Sequence, residues 1–318
     1  MRIARILAAL SLAVVAASAA AQYPNKPIKI IVPFPAGSAT DTVARILGQS
    51  VSTAVGQAVV VENKAGADGA IAGAEVAKAA PDGYTLLLAT NSPMAVAPAM
   101  KKVPPYDPVA DFTPIADVGR YTFFLFATAS LPQRTLAEII AYAKANPGKL
   151  AYATGNTTGI VSFAQFNALA GTQMLHVPYK GEPAAITDLL AGRVHLIFAT
   201  PTTGLAHVKD GKLRAVVTSL KQRSPILPDV PTISEAGMPK FSILSWAALY
   251  GPAKMPRDIV ERLNREFVAA MKRPDVLAAM DKQAFILSPS TPEELGAFTK
   301  EQFEDYKRIL RESGIQPE

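Results

Sequence analysis

Residues Ile28 to Val32 form a β-branched run, and within ten positions the apolar pattern changes from strand to helix. The intervening loop is Pro33-Phe34-Pro35-Ala36-Gly37-Ser38-Ala39-Thr40-Asp41. After it Val43, Ile46, Leu47, Val51 and Val55 recur at helical spacing, and Gly56 closes the helix. A strand that hands over to a helix in this way pairs in parallel with the next strand, because the helix carries the chain back to the starting edge of the sheet. The handover recurs. Residues 59–61 and 84–89 read as buried strands, separated by a small-residue helix over 71–80 that Pro81-Asp82-Gly83 stops. Thr135, with Glu138 three positions later, is a capping box for a helix ending at Ala145. Asn146-Pro147-Gly148 terminates that helix, and residues 150–153 form a strand. Further strands are expected at 194–198 and 213–217, and Thr291, Pro292 and Glu294 open a final helix of mixed charge. The fold class is α/β, built as two successive α/β units.

No low-complexity linker separates the units, so the chain is expected to cross between two lobes on strands. The hydrophobic, β-prone stretches 120–127 and 242–250 are the candidate crossovers. They divide the chain into a first lobe of residues 22–122 with 245–318, and a second lobe of residues 123–244. The single tryptophan, Trp246, falls in the second crossover.

The N-terminus sets the expected compartment. Arg2 and Arg5 form a short basic region, residues 6–17 an apolar stretch, and Ala19-Ala20-Ala21 a small-residue site before Gln22. This is the pattern of a secretory signal peptide, cleaved after Ala21. The apolar stretch is short of the roughly 20 residues that span a bilayer. The chain contains no cysteine, so disulfides and thiolate metal sites are excluded. A secreted chain of this size buries enough apolar surface to do without disulfides, as in a bacterial periplasm. The formal net charge of +6 includes the two signal arginines and is spread thinly, with no Lys/Arg block longer than a pair. Nucleic-acid binding calls for a clustered basic face, so no nucleic-acid partner is expected.

Two junctions are matched. The first is the loop after Val32; the second is Thr154-Gly155-Asn156-Thr157-Thr158-Gly159, between the strand at 150–153 and another helix. Gly and hydroxyl residues let such loops turn their N–H groups toward one point. A helix N-terminus adds unpaired donors and partial positive charge, so each junction is a potential anion site as well as an ordinary βα turn. In open α/β sheets ligands bind beyond the carboxyl ends of the strands. One junction per lobe would therefore grip an anion from both sides. Thr90-Asn91-Ser92 follows the strand at 84–89 and belongs to the same edge. Asp41 would repel an anion and is read as a cap facing sideways from the helix. Neither junction ends in the Gly-Lys-Ser/Thr of a phosphate-binding loop. His176, His195 and His207 stand at irregular spacing, and no Gly-x-Ser-x-Gly occurs. No catalytic residue, metal or cofactor is expected.

The chain resembles the extracytoplasmic solute receptors of tripartite tricarboxylate transporters, the Bug family, over nearly all of its length beyond the signal. The resemblance rests on Val32-Pro33-Phe34-Pro35-Ala36-Gly37 with Asp41 and Ala44-Arg45, and on Val61-Glu62-Asn63-Lys64-Ala65-Gly66-Ala67-Asp68-Gly69. It is strengthened by Pro81-Asp82-Gly83-Tyr84-Thr85-Leu86-Leu87, His176-Val177-Pro178-Tyr179-Lys180-Gly181, Asp188-Leu189-Leu190-Ala191-Gly192 and Leu227-Pro228-Asp229-Val230-Pro231-Thr232. It implies a two-lobed periplasmic-binding-protein (Venus flytrap) fold that closes over a small carboxylate. The ligand would then pass to the membrane subunits of the transporter; a sensor kinase is the alternative destination, and a monomer is expected.

By the same resemblance the ligand wall comprises Phe34, Pro35, Ala36, Gly37, Ser38, Thr40 and Asp41 from the first loop and Gly155, Asn156, Thr157, Thr158 and Gly159 from the second. Thr90, Asn91, Ser92, Tyr179, Gly181, Pro183 and Thr200 complete it. Two positions depart from the family pattern. Gly37-Ser38 stands where Gly-Gly is common, and Glu182 alone separates Gly181 from Pro183-Ala184. Glu182 is expected to face outward as a solvated charge; turned inward, it would pair with a ligand ammonium.

Overall fold

The computed structural model describes residues 23–312 and 316–317. The expected signal peptide, with cleavage after Ala21, lies outside the described residues. The first half of the chain runs β1 (Ile28–Val32), α1 (Ala39–Val55), β2 (Val59–Asn63), α2 (Ala70–Ala77), β3 (Thr85–Thr90), β4 (Phe112–Tyr121), β5 (Phe124–Thr128), α3 (Leu136–Ala145), β6 (Ala151–Thr154) and α4 (Thr157–Ala170). The second half runs β7 (Leu175–Pro178), α5 (Glu182–Leu190), β8 (Leu196–Ala199), α6 (Pro201–Lys209), β9 (Leu213–Thr218), β10 (Trp246–Pro252), α7 (Arg257–Met271), α8 (Pro274–Asp281), β11 (Phe285–Leu287) and α9 (Pro292–Glu312). Two sheets result, ordered β11-β4-β10-β3-β1-β2 and β7-β6-β8-β5-β9. Among the described residues no helix is long and apolar enough to cross a membrane.

Local chemistry explains the element ends. Ser38 caps α1, its Oγ accepting the Asp41 N–H at 3.3 Å. Gly56 ends α1 in the left-handed region, φ +69°, where a Cβ would be strained, and returns its N–H to Ser52 O. Between these caps Val43, Leu47 and Val51 form one fully buried stripe against the first sheet. Each such side chain contributes about 1.5–3 kcal/mol on burial. Thr135 and Glu138 form the capping box of α3. The small-residue helix α2 is shorter than its pattern predicts, 70–77 rather than 71–80. Strand β11, only three residues long, carries too little periodicity to be legible, and it joins the sheet by pairing Phe285 with Tyr121.

The crossings between sheets are short on one side and long on the other. Strand β4 leaves the first sheet at Tyr121, and after two intervening residues β5 starts in the second. The return runs from Thr218 to Trp246, so the strand begins later than the 242–250 pattern predicts. The crossing segments lie side by side: Tyr121 N–H bonds Ser245 O at 3.0 Å and Ser219 N–H bonds Phe123 O at 2.9 Å. Trp246 is fully buried in the first lobe with its edge on Phe298.

Candidate functional site

Parallel pairing aligns the carboxyl ends of the strands. In the second sheet β6 pairs in parallel with β7 and β8, bringing Thr154 opposite Pro178. Helices α4, α5 and α6 each begin within four residues of those strand ends, so three helix N-termini share one edge. In the first sheet β1, parallel to β3, feeds α1. Thr90 feeds a helical turn over Ser92–Val96.

Capping leaves specific donors over. Asp41 N–H goes to Ser38 Oγ and Thr42 N–H to Ser38 O, which leaves the Ala39 and Thr40 N–H groups without a partner among the described residues. Asn156 caps α4 by accepting the Gly159 N–H at 2.9 Å, and Thr157 and Thr158 are left in the same way. These are the orphan donors of a helix start, reinforced by its partial positive charge.

Three of these residues, Ala39, Thr40 and Thr158, line one cavity. It is lined by Phe34, Ser38, Ala39, Thr40, Thr90, Tyr121, Phe123, Asn156, Thr158, Glu182, Thr200 and Ser245. The lobes are closed over it. Asn91 Nδ2 donates to Thr158 Oγ1 at 2.7 Å, and Ser92 and Thr157 share a hydroxyl–hydroxyl bond. Thr202 Oγ1 donates to Gln283 Oε1 across the same boundary.

Of the residues expected at the ligand wall, Phe34, Ser38, Thr40, Thr90, Asn156, Thr158 and Thr200 line this cavity. The others surround it in different roles. Ala36 and Gly37 are exposed. Pro35 and Gly181 abut each other where the lobes meet: a Cβ built on Gly181 would lie 2.8 Å from the Pro35 ring. Gly155 carries no side chain because the start of α5 leaves no room; its Cβ would lie 2.5 Å from the Glu182 nitrogen. Asn91, Ser92 and Thr157 bond between lobes, and Gly159 donates to the Asn156 cap. Tyr179 directs its hydroxyl to Asp188 instead, and Pro183 sits half-buried in the first turn of α5. Tyr121, Phe123 and Ser245 come from the crossing segments, which form the floor of the cleft.

Asp41 is withdrawn from the cavity. Its carboxylate accepts from Gly37 N–H, Arg45 Nε and Asn63 Nδ2, and Arg45 Nη2 lies 2.9 Å from its Oδ1. Burial alone would raise its pKa, but the Arg45, Gly37 and Asn63 bonds outweigh burial and hold it below the ordinary value. Asp41 therefore braces the loop that presents Ala39 and Thr40. Asp41→Ala is expected to cost about 1–3 kcal/mol at neutral pH. Because the folded pKa is depressed, that loss is present above the unfolded value and shrinks as pH falls through the folded one; urea unfolding across pH measures it.

Glu182 corrects the sequence reading. It is 7 % exposed and lines the cavity instead of facing solvent. Its Oε2 accepts from Thr200 N–H (3.1 Å), Thr200 Oγ1 (2.7 Å) and Thr203 Oγ1 (3.0 Å). Burial pushes its pKa up against those three bonds. Across the cleft, burial also raises Tyr121, whose hydroxyl bonds Thr40 at 3.0 Å, and the nearby Glu182 charge adds to that rise. The histidines lie away from the cavity. His195 Nδ1 accepts the Ala151 N–H, and His176 stacks on Tyr152.

Residues 43–315 match the model of the tripartite tricarboxylate transporter family receptor. BugT of Bordetella pertussis is 34% identical over 99% of each chain. The R. palustris protein Rpa4515, solved with adipate, superposes with a TM-score of 0.90 at 30% identity, covering 93% of this chain and all of that one. MatC of Rhodopseudomonas palustris, solved with bound malate, gives 0.85 at 29% identity, over 91% of this chain and all of that one. These are two-lobed binding proteins, receptors for solutes and not enzymes. With the matching model spanning most of its length, and with two α/β lobes shut over a cavity ringed by helix N-termini, the chain belongs to the tripartite tricarboxylate transporter receptor family.

Proposed function

We propose that the chain is a periplasmic, monomeric receptor that captures a small carboxylate between its lobes and delivers it to the membrane subunits of a tripartite tricarboxylate-type transporter. The observation that carries this reading is the set of residues with unpartnered N–H groups at the starts of α1 and α4, of which Ala39, Thr40 and Thr158 line one cavity between the lobes. Charge-assisted bonds of this kind contribute about 1.5–3 kcal/mol each, so a few supply micromolar affinity after ordering costs. Adipate in one relative and malate in another support the same chemistry. The first lobe is taken as residues 22–122 with 245–318 and the second as 123–244, hinged at the paired crossing segments; the two separate sheets support this division. The ligand binds both lobes only when they close, and so shifts the population toward the closed form.

Calorimetric titration with small mono-, di- and tricarboxylates and their neutral amides tests the ligand class. Acids are expected to bind and matched amides not to; equal binding overturns the reading. Co-purification with the transporter's membrane subunits, and not with a sensor kinase, is expected for the closed, loaded form.

A further inference from the structure

Glu182 is buried in the cleft without a counter-ion. No lysine, arginine or histidine lines the cavity, and no ion pair includes Glu182 among the described residues. Its three hydrogen bonds all converge on Oε2 and come from neutral groups, the Thr200 N–H and the hydroxyls of Thr200 and Thr203. No hydrogen bond reaches Oε1 among the described residues. Glu182 lies at the lobe boundary, in the cavity that Tyr121 and Thr40 of the first lobe also line. The preceding residue, Gly181, rests against Pro35 of the opposite lobe, and the Glu182 backbone is wedged against Gly155.

We propose that Glu182 determines the specificity of the cleft, selecting a zwitterion, a small carboxylate that also carries an ammonium group, over a dianion of similar size. This rests on the carboxylate-receptor reading above. Neutral donors solvate a buried carboxylate but leave its charge uncompensated, and an uncompensated buried charge is strongly unfavourable. A ligand ammonium supplies both the missing charge and an N–H donor for Oε1. The ligand carboxylate is held by the orphan Ala39 and Thr40 N–H groups on the opposite lobe. The two walls thus have opposite preferences, and a ligand carrying both charges satisfies each. A second carboxylate placed within about 4 Å of Glu182 would instead meet like charge, a penalty of roughly a hundred- to a thousandfold in affinity.

The test uses pairs of acids alike in size, aspartate with malate and 6-aminohexanoate with adipate, titrated calorimetrically against wild type, Glu182→Gln and Thr203→Val. Wild type is expected to bind the ammonium-bearing member of each pair at least about tenfold more tightly. Glu182→Gln retains the acceptor for Thr200 but loses the charge, and is expected to abolish or invert that ratio. Thr203→Val, which removes one neutral donor and keeps the charge, is expected to preserve or increase the preference. An identical ratio in wild type and Glu182→Gln overturns the role of Glu182 while leaving carboxylate capture intact. Failure of every acid to bind either protein overturns the carboxylate reading and this inference with it.

Discussion

Gly181→Ala is expected to lower ligand affinity by roughly 5- to 150-fold while leaving each lobe folded. Gly181 has φ 171° and ψ 163°, extended backbone that alanine adopts without strain. Within its own lobe, beyond its chain neighbours, the new methyl comes no closer than an ordinary 3.7 Å, to Pro183 Cδ. Across the cleft it would lie 2.8 Å from Cγ and Cδ of Pro35, atoms held in a ring that cannot swing aside. Overpacking of this kind typically costs about 1–3 kcal/mol. Here the cost falls on the closed state alone. Apparent affinity scales with the population able to close, so the energy appears as weaker binding and not as unfolding. Calorimetry should report the weaker binding, and small-angle scattering should show a more open average shape with ligand present. Pro35→Ala removes the offending ring atoms, so the double variant should recover most of the lost affinity. Equal loss in the single and double variants would place the damage inside the second lobe and sink the account.

That contact also marks where sequence reasoning reaches its limit. The caps at Ser38, Gly56 and Thr135 are local, since each involves partners within four residues, and residue types at fixed offsets reveal them. The two βα junctions are legible for the same reason, but that they form a ligand wall comes from the family resemblance; of the residues it implies, Phe34, Ser38, Thr40, Asn156 and Thr158 line the cavity. Tyr121, Phe123 and Ser245 line the cavity without being expected there, although the expected crossover stretches 120–127 and 242–250 contain them. The available signal was that whatever joins two lobes also floors the space between them. The sequence reading has Glu182 facing outward as a solvated charge. Its orientation is set by Thr200 and Thr203, 18 and 21 residues further on. The residue before it, Gly181, meets Pro35 in the other lobe, and no local pattern reports such partners.

Glu182→Gln is expected to raise thermal stability at neutral pH and to leave it nearly unchanged in acid. Burial raises the folded pKa of Glu182 above its ordinary value of 4.5, against the opposing bonds from Thr200 and Thr203. For a group raised in this way the folded state binds its proton more tightly than the unfolded chain. Its stabilising contribution is therefore complete below the unfolded pKa and is lost as pH rises through the folded one. Glutamine has no proton to lose, and its amide oxygen still accepts from Thr200. The melting curves of wild type and variant should coincide near pH 4, diverge as pH rises through the folded pKa, and run parallel beyond it. A residual penalty of about 1–3 kcal/mol for the charged form corresponds to roughly 2–8 °C at this chain length. A difference independent of pH would show that the charge is not the cause. An ammonium-bearing carboxylate should reverse the order, because wild type then gains the counter-ion that glutamine cannot use. Stability given up in the empty receptor would thereby become discrimination in the loaded one.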